Sequence, residues 1–280
     1  MTHADIFLPA TLDMIAAAQL AAERTIKPGF RTPQLADAAS KTGTFDLVTA
    51  CDEEAERIIR AHLLNAHPFA LVTGEERIGT FPQERAQIAT AHEAFLIDPI
   101  DGTLNFAQGV GAVATIIARL ERGVPVAGVL HDPIAGDTLV AEQGRGAWFI
   151  ASNGAVRRLE RAPTHAAQAV MANTWKWQEE GNTGVVAALE GMGMVRILMS
   201  AAHDHRTLAL GGAHTALFRD AQPWDHAAGV LAIHEMGGKV AFLDGQPYTV
   251  ARHKGPLLAT IDSAQWDARA TTLRAAVRKT

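Results

Sequence analysis

Apolar positions along the chain switch between two periods, and the switches mark its elements. Between residues 10 and 26, Leu12, Ile15, Ala16, Gln19, Leu20 and Ala22 fall at helical spacing, and Lys27-Pro28-Gly29 supplies a stop. This predicts an amphipathic packing helix with a role at a subunit contact. Lys41 to Asp46 reads as a polar turn. A second helix is expected from Thr49-x-x-Asp52 to about Ala66, with Ile58, Ile59, Leu63 and Leu64 on one face. Its acidic first turn (Asp52, Glu53, Glu54) suits the positive end of a helix dipole. Short apolar runs at 69–73 and 94–97 read as buried strands. From 113 to 150 the pattern becomes strands, with 114–120 and 124–130 flanking a turn at Glu121-Arg122-Gly123, then 138–141 and 147–150.

Residues 152–163 read as a surface hairpin or linker, with Asn153-Gly154 as its turn and basic Arg157, Arg158 and Arg161. This places a boundary between an N-terminal subdomain, 1–151, and a C-terminal one, 152–280. The second part alternates again. Strands are expected near 169–172, 195–198 and 215–218, and helices over 183–192 and 201–210. Asp225 is a good N-cap for a helix that Gly237-Gly238 stop. Strands near 239–243 and 257–260 and a helix over 263–277 complete the chain. Alternation of this kind places the fold in the α/β (α+β) class.

Two of the strands run into acid. The 94–97 run ends in Asp98-Pro99-Ile100-Asp101-Gly102-Thr103, and the 69–73 run ends in Gly74-Glu75-Glu76. Adjacent parallel strands would bring those carboxyl ends together, where open α/β sheets bind ligands. Carboxylates held close need a shared proton or a cation. With no Cys or His beside them, an oxygen-seeking cation is the simpler choice. Gly102 permits a sharp turn, and a helical turn starting there would point free N–H groups at an anion. Taken alone, the stretch fits a solvated turn and cap equally well. Asp52 alone fits a helix start and Asp225 a cap.

Composition narrows the classes. The chain has 280 residues, 48% of them hydrophobic, which allows a full core. A net charge of −5 gives no electrostatic case for nucleic acid. The single cysteine, Cys51, rules out an internal disulfide and a Cys-rich zinc site. The twelve histidines, His203-Asp204-His205 included, follow no ligand spacing such as HExxH. No apolar run approaches a membrane span, and the first residues lack a basic-then-apolar signal, so a cytoplasmic protein is expected.

Three acidic segments occur in a fixed order: Gly74-Glu75-Glu76, Asp98-Pro-Ile-Asp101-Gly-Thr103 and Trp224-Asp225-x-Ala-Ala-Gly229. In this combination the sequence resembles the inositol monophosphatase superfamily of lithium-sensitive, magnesium-dependent phosphatases, from Lys41 to beyond Gly238. The resemblance implies a layered α/β/α/β/α sandwich, often a homodimer. It implies that Glu75, Asp98, Asp101 and Asp225, with the Ile100 carbonyl, bind Mg²⁺, two or three ions per site. Glu75 and Thr103 would position and activate water, and the Gly102 and Thr103 N–H groups would cradle phosphate. Lys41 and Asp52 match a supporting pair, and Ser200 and Ala201 fall where the family contacts the substrate alcohol. The implied substrate is a small phosphorylated alcohol, inositol 1-phosphate or a related polyol or sugar phosphate. Phe218 stands where inositol-specific members carry a Glu, Met199 where they carry a glycine, and His131 where a Tyr is common. Asn105-Phe106 resembles the inositol branch. Histidinol phosphate as substrate, or a metal-binding regulatory protein without turnover, are the alternatives.

Overall fold

The computed structural model describes residues 3–31, 39–43, 46–48, 50–160 and 169–277, with backbone alone for 39–43 and 46–48. Thr49 and Arg161 lie outside the described residues. Strands β1 (Ala39–Gly43) and β2 (Asp46–Val48) pair as a small antiparallel ribbon where a polar turn was expected. A seven-stranded sheet follows: β3 (Leu71–Gly74), β4 (Glu93–Asp101), β5 (Ala114–Glu121), β6 (Val124–Asp132), β7 (Asp137–Glu142), β8 (Gly146–Ile150) and β9 (Val156–Leu159), in that spatial order. Only β3 and β4 are parallel in this sheet; each later pair is antiparallel. A second sheet has five strands: β10 (Ala169–Ala172), β11 (Met194–Arg196), β12 (Thr215–Phe218), β13 (Lys239–Phe242) and β14 (Leu257–Thr260). Its order is β11-β10-β12-β14-β13.

Helices fill the spaces in alternating layers. Pro9–Ala21 and Ala50–Ala66 cover one face of the large sheet, with Met14, Ile59 and Leu63 against Phe95 and Ile97. Ala201–Ala209 and Pro223–Glu235 lie between the sheets, where Leu96, Ile116 and Leu130 meet Leu208, Ile233 and Phe242 in one core. Thr183–Met192 and Trp266–Ala276 cover the outer face of the small sheet, burying Trp177, Leu189 and Trp266. The order is α/β/α/β/α, as the resemblance implied.

Two local expectations need correction. The first helix buries Thr11, Met14, Ile15, Ala17, Ala18 and Ala21, while Ala16 and Gln19 are exposed. The buried stripe is rotated because Ala17, Ala18 and Ala21 are small enough to approach the neighbouring layer, which apolar spacing does not reveal. Its last part, Ala22–Ile26, is π-helical and runs into a final turn at Lys27–Gly29. Asp225 is not an N-cap. Pro223 takes the first helical position, where its missing N–H costs nothing, and Gln222 is the cap. Asp225 therefore sits inside the first turn.

One contact fixes the middle layer. Gly128 on β6 pairs with Ala118 and Ala141, giving three small residues across three strands. A Cβ on Gly128 would lie 2.7 Å from the Cα of Ala228. The helix that carries Asp225 thus rests on the sheet at backbone contact.

Candidate active site

The site begins with strand register. Parallel β3 and β4 place Gly74 opposite Ile97, so the next residues, Glu75 and Asp98, emerge side by side. Beyond Asp98 the β4–β5 register slips: Asp98 faces Ile116 and Asp101 faces Ala114. The extra residue sits at Pro99–Ile100, and Thr115 Oγ1 donates to the Pro99 carbonyl at 2.8 Å. Such a bulge re-aims side chains. Here it brings Asp98 and Asp101 into one cleft instead of leaving their sides to strict alternation. Gly102, at φ 89°, then turns the chain into the short helix Thr103–Ala107.

From the other side comes Asp225, in the first turn of the middle-layer helix. Glu75, Asp98 and Asp225 each offer an oxygen, and the three lie within 4.8 Å of one another. They line a cleft of about 1140 Å³ together with Asp101, Gly102 and Thr103. Burial raises Asp98 well above the usual carboxylate range, and Glu75, Asp101, Asp225 and Asp52 push it further. Asp225 is raised well above that range by burial first, then by Glu75 and Asp101. Asp98 Oδ1 is buried without a hydrogen-bond partner. Crowded carboxylates and an orphaned buried oxygen fit a hard divalent cation, which supplies the missing partner and offsets the repulsion.

Asp101 is bound differently. Its Oδ1 accepts the Ala201 N–H at 3.0 Å, and its Oδ2 accepts the Ala202 N–H at 2.7 Å and the Ser200 hydroxyl at 2.5 Å. Burial raises its pKa, and these donors oppose the rise. Ser200 also caps its own helix by accepting the His203 N–H at 3.2 Å. Ser200 and Ala201 thus engage Asp101, and neither lines the cleft.

Asp52 is 2% exposed, and Thr103 Oγ1 lies 3.4 Å from its Oδ1 and 3.1 Å from the Ile100 carbonyl. The backbone of Lys41 is in β1; its side chain lies outside the described residues. Asn105 Nδ2 donates to the carbonyls of Ala112 at 2.8 Å and Leu198 at 2.7 Å, tying the two parts of the chain beside the site. His131 is buried with Nδ1 2.9 Å from Thr138 Oγ1, and burial lowers its pKa to about 4. Phe218 does not line the cleft. It packs on His205 and His226, ring centroids 4.7 and 4.6 Å away.

Sequence reasoning missed Glu56. It follows Asp52 by one helical turn and is buried on the same face. Its carboxylate accepts the N–H groups of Glu76 at 2.9 Å and Arg77 at 3.0 Å. Burial pushes its pKa up to about 7. Glu56 therefore clamps the junction that presents Glu75. A second acid one turn after Asp52 was the available signal.

The model of the inositol monophosphatase family matches residues 10–279. The chain belongs to the inositol monophosphatase family. It is 31% identical over 206 residues to a fructose-1,6-bisphosphatase/inositol-1-monophosphatase of Thermotoga maritima, covering 74% of this chain and 75% of that one. It is 31% identical over 230 residues to an inositol-1-monophosphatase of Caulobacter vibrioides, covering 80% and 86%. The crystal structure of the extragenic suppressor protein suhB of Bartonella henselae superposes with a TM-score of 0.77 at 25% identity, covering 94% and 97%. No helix among the described residues is long and apolar enough to cross a membrane.

Proposed function

We propose that the chain is a Mg²⁺-dependent phosphomonoesterase acting on a small phosphorylated alcohol. The observation that carries this reading is the Glu75–Asp98–Asp225 cluster, with its orphaned Asp98 oxygen, in one cleft with Gly102 and Thr103. Glu75, Asp98, Asp101, Asp225 and the Ile100 carbonyl hold two or three cations. When bound, these would supply positive charge for the phosphoryl oxygens and acidify water. Gly102 and Thr103 offer their main-chain N–H groups to the phosphate. Thr103 Oγ1 has one proton and two acceptors in reach, the Ile100 carbonyl at 3.1 Å and Asp52 at 3.4 Å; with that carbonyl on a cation, the proton would go to Asp52 and an oxygen lone pair would accept from the attacking water. Glu75 takes the other side of that water, and Lys41 supports the network with Asp52. Ser200 and Ala201 act on the substrate alcohol through the Asp101 they hold.

Residues 1–151 carry most of the ligands, and residues 152–280 contribute Asp225 and the groups around Asp101. Inositol 1-phosphate and related polyol or sugar phosphates form the substrate class, and we place the enzyme in the cytoplasm as a lithium-sensitive homodimer. Phosphate release from a substrate panel tests the reading. It should require Mg²⁺, stop with EDTA and fall with Li⁺. Release from histidinol phosphate alone would select that substrate instead. No release from any substrate would leave a metal-binding regulatory protein.

The Glu56 clamp gives a second test. In Glu56→Gln, an NH₂ group must face one of two backbone N–H donors, and the junction loosens. Phosphate release should fall about tenfold, the range seen when groups supporting metal ligands are changed. Unchanged release with an unchanged melting temperature would mean that the clamp does not position Glu75.

A further inference from the structure

Met199 is the residue that the phosphatase reading leaves unexplained. It lines the cleft and sits at φ 54°, a left-handed backbone conformation that a long side chain rarely adopts. Arg31 and Arg122 are the other non-glycine residues with positive φ among the described residues, and neither lines the cleft. The conformation is imposed from both sides. The Leu198 carbonyl is held by Asn105 Nδ2, and the Ser200 hydroxyl is held by Asp101. The chain between these anchors has one residue in which to turn.

The side chain is fixed as well. Asn173 Nδ2 donates to Met199 Sδ at 2.9 Å. A thioether is a weak acceptor, and here one of its two lone pairs is already used. The Met199 carbonyl lies 3.4 Å from where a Cβ on Gly102 would stand, so Met199 borders the proposed phosphate cradle directly. An alcohol esterified to a phosphate there would lie in the cleft that Met199 lines. Trp175 lines the same cleft, and Phe218 is turned away into its histidine stack.

We infer that Met199 is a specificity-determining residue: it gives the alcohol end of the cleft an apolar wall that favours phosphate esters with a CH-rich face and disfavours alcohols hydroxylated on every carbon. The inference rests on the phosphomonoesterase reading. A hydroxyl pressed against the Met199 side chain loses its water and gains no partner from it; beside the sulfur, Asn173 Oδ1 offers a single open acceptor, too few for an alcohol hydroxylated on every carbon. A CH-rich face gains contact with the polarizable sulfur.

Two variants test it, with cyclohexyl phosphate, whose ring carries no hydroxyl, and myo-inositol 1-phosphate as paired substrates. Met199→Ala removes the wall and keeps the strained φ; Met199→Gly removes both. In each, kcat/KM for inositol 1-phosphate should rise about tenfold relative to cyclohexyl phosphate, mostly through KM, while inhibition by inorganic phosphate stays unchanged. Only Met199→Gly should also raise the melting temperature relative to Met199→Ala, because glycine accepts φ 54° without strain. An unchanged or reversed substrate ratio in both variants, with an active wild type, would overturn the inference alone. A wild type that hydrolyses neither ester nor any other would overturn the phosphatase reading and this inference with it.

Discussion

Asp98→Asn should abolish phosphate release while making the metal-free protein more heat-stable. The change is nearly isosteric, so packing around the buried strand end is retained. What it removes is a negative charge in a place where burial and neighbouring carboxylates already hold Asp98 far above its ordinary pKa. Without metal, that charge is a liability, and its loss should raise the melting temperature. With metal, it is a ligand, and its loss should cost about three orders of magnitude in phosphate release, in keeping with the several kcal/mol a catalytic cation supplies. The stabilisation that Mg²⁺ confers on the wild type should shrink or vanish in the variant. Activity and metal-free stability thus move in opposite directions. A variant with wild-type release and a wild-type Mg²⁺ response would remove Asp98 from the site.

Gly128→Ala should be nearly as damaging, although Gly128 is on a strand outside the acidic cluster. Its new Cβ would lie 2.7 Å from Ala228 Cα and 3.0 Å from the Ala228 carbonyl oxygen. These are backbone atoms, so no rotamer change relieves the contact. The helix must lift from the sheet, and overpacking of this kind costs about 3 kcal/mol. Asp225 is three residues from Ala228 on that helix and moves with it. An ångström-scale misplacement of a reacting group can cost about a hundredfold in rate. Urea unfolding and phosphate release measured together check both halves. If the unfolding midpoint and the activity both stay at wild type, the contact does not set the height of Asp225.

Much of the fold and part of the candidate site were legible because they depend on local pattern. Strand runs ending in Gly74-Glu75 and Asp98 signalled carboxyl ends that meet, and the parallel register of β3 and β4 brings them together. Asp225 was found from motif order, but its place in the helix was misread because Pro223 rather than Asp225 sets the first turn. Glu56 was passed over because an acid on a helix is usually solvated. Its burial follows from two N–H groups about twenty residues away. The face of the first helix was misplaced because alanine is compatible with either side of a packing boundary. Met199 could be read as a departure from the family, but its left-handed backbone follows from anchors at Asp101 and Asn105. What stayed hidden in each case was a contact made across sequence distance.

That distance sets an order of events during synthesis. Glu75, Asp98 and Asp101 leave the ribosome well before Asp225, and before Ser200 and the N–H groups that hold Asp101. A nascent chain ending after β9 would carry an acid cluster without its last member and with Asp101 unsupported. Long-range partners form late, once the loop-closure cost has been met. Cation capture should therefore be among the last steps of maturation, so that metal retention reports a completed chain whose middle helix has docked.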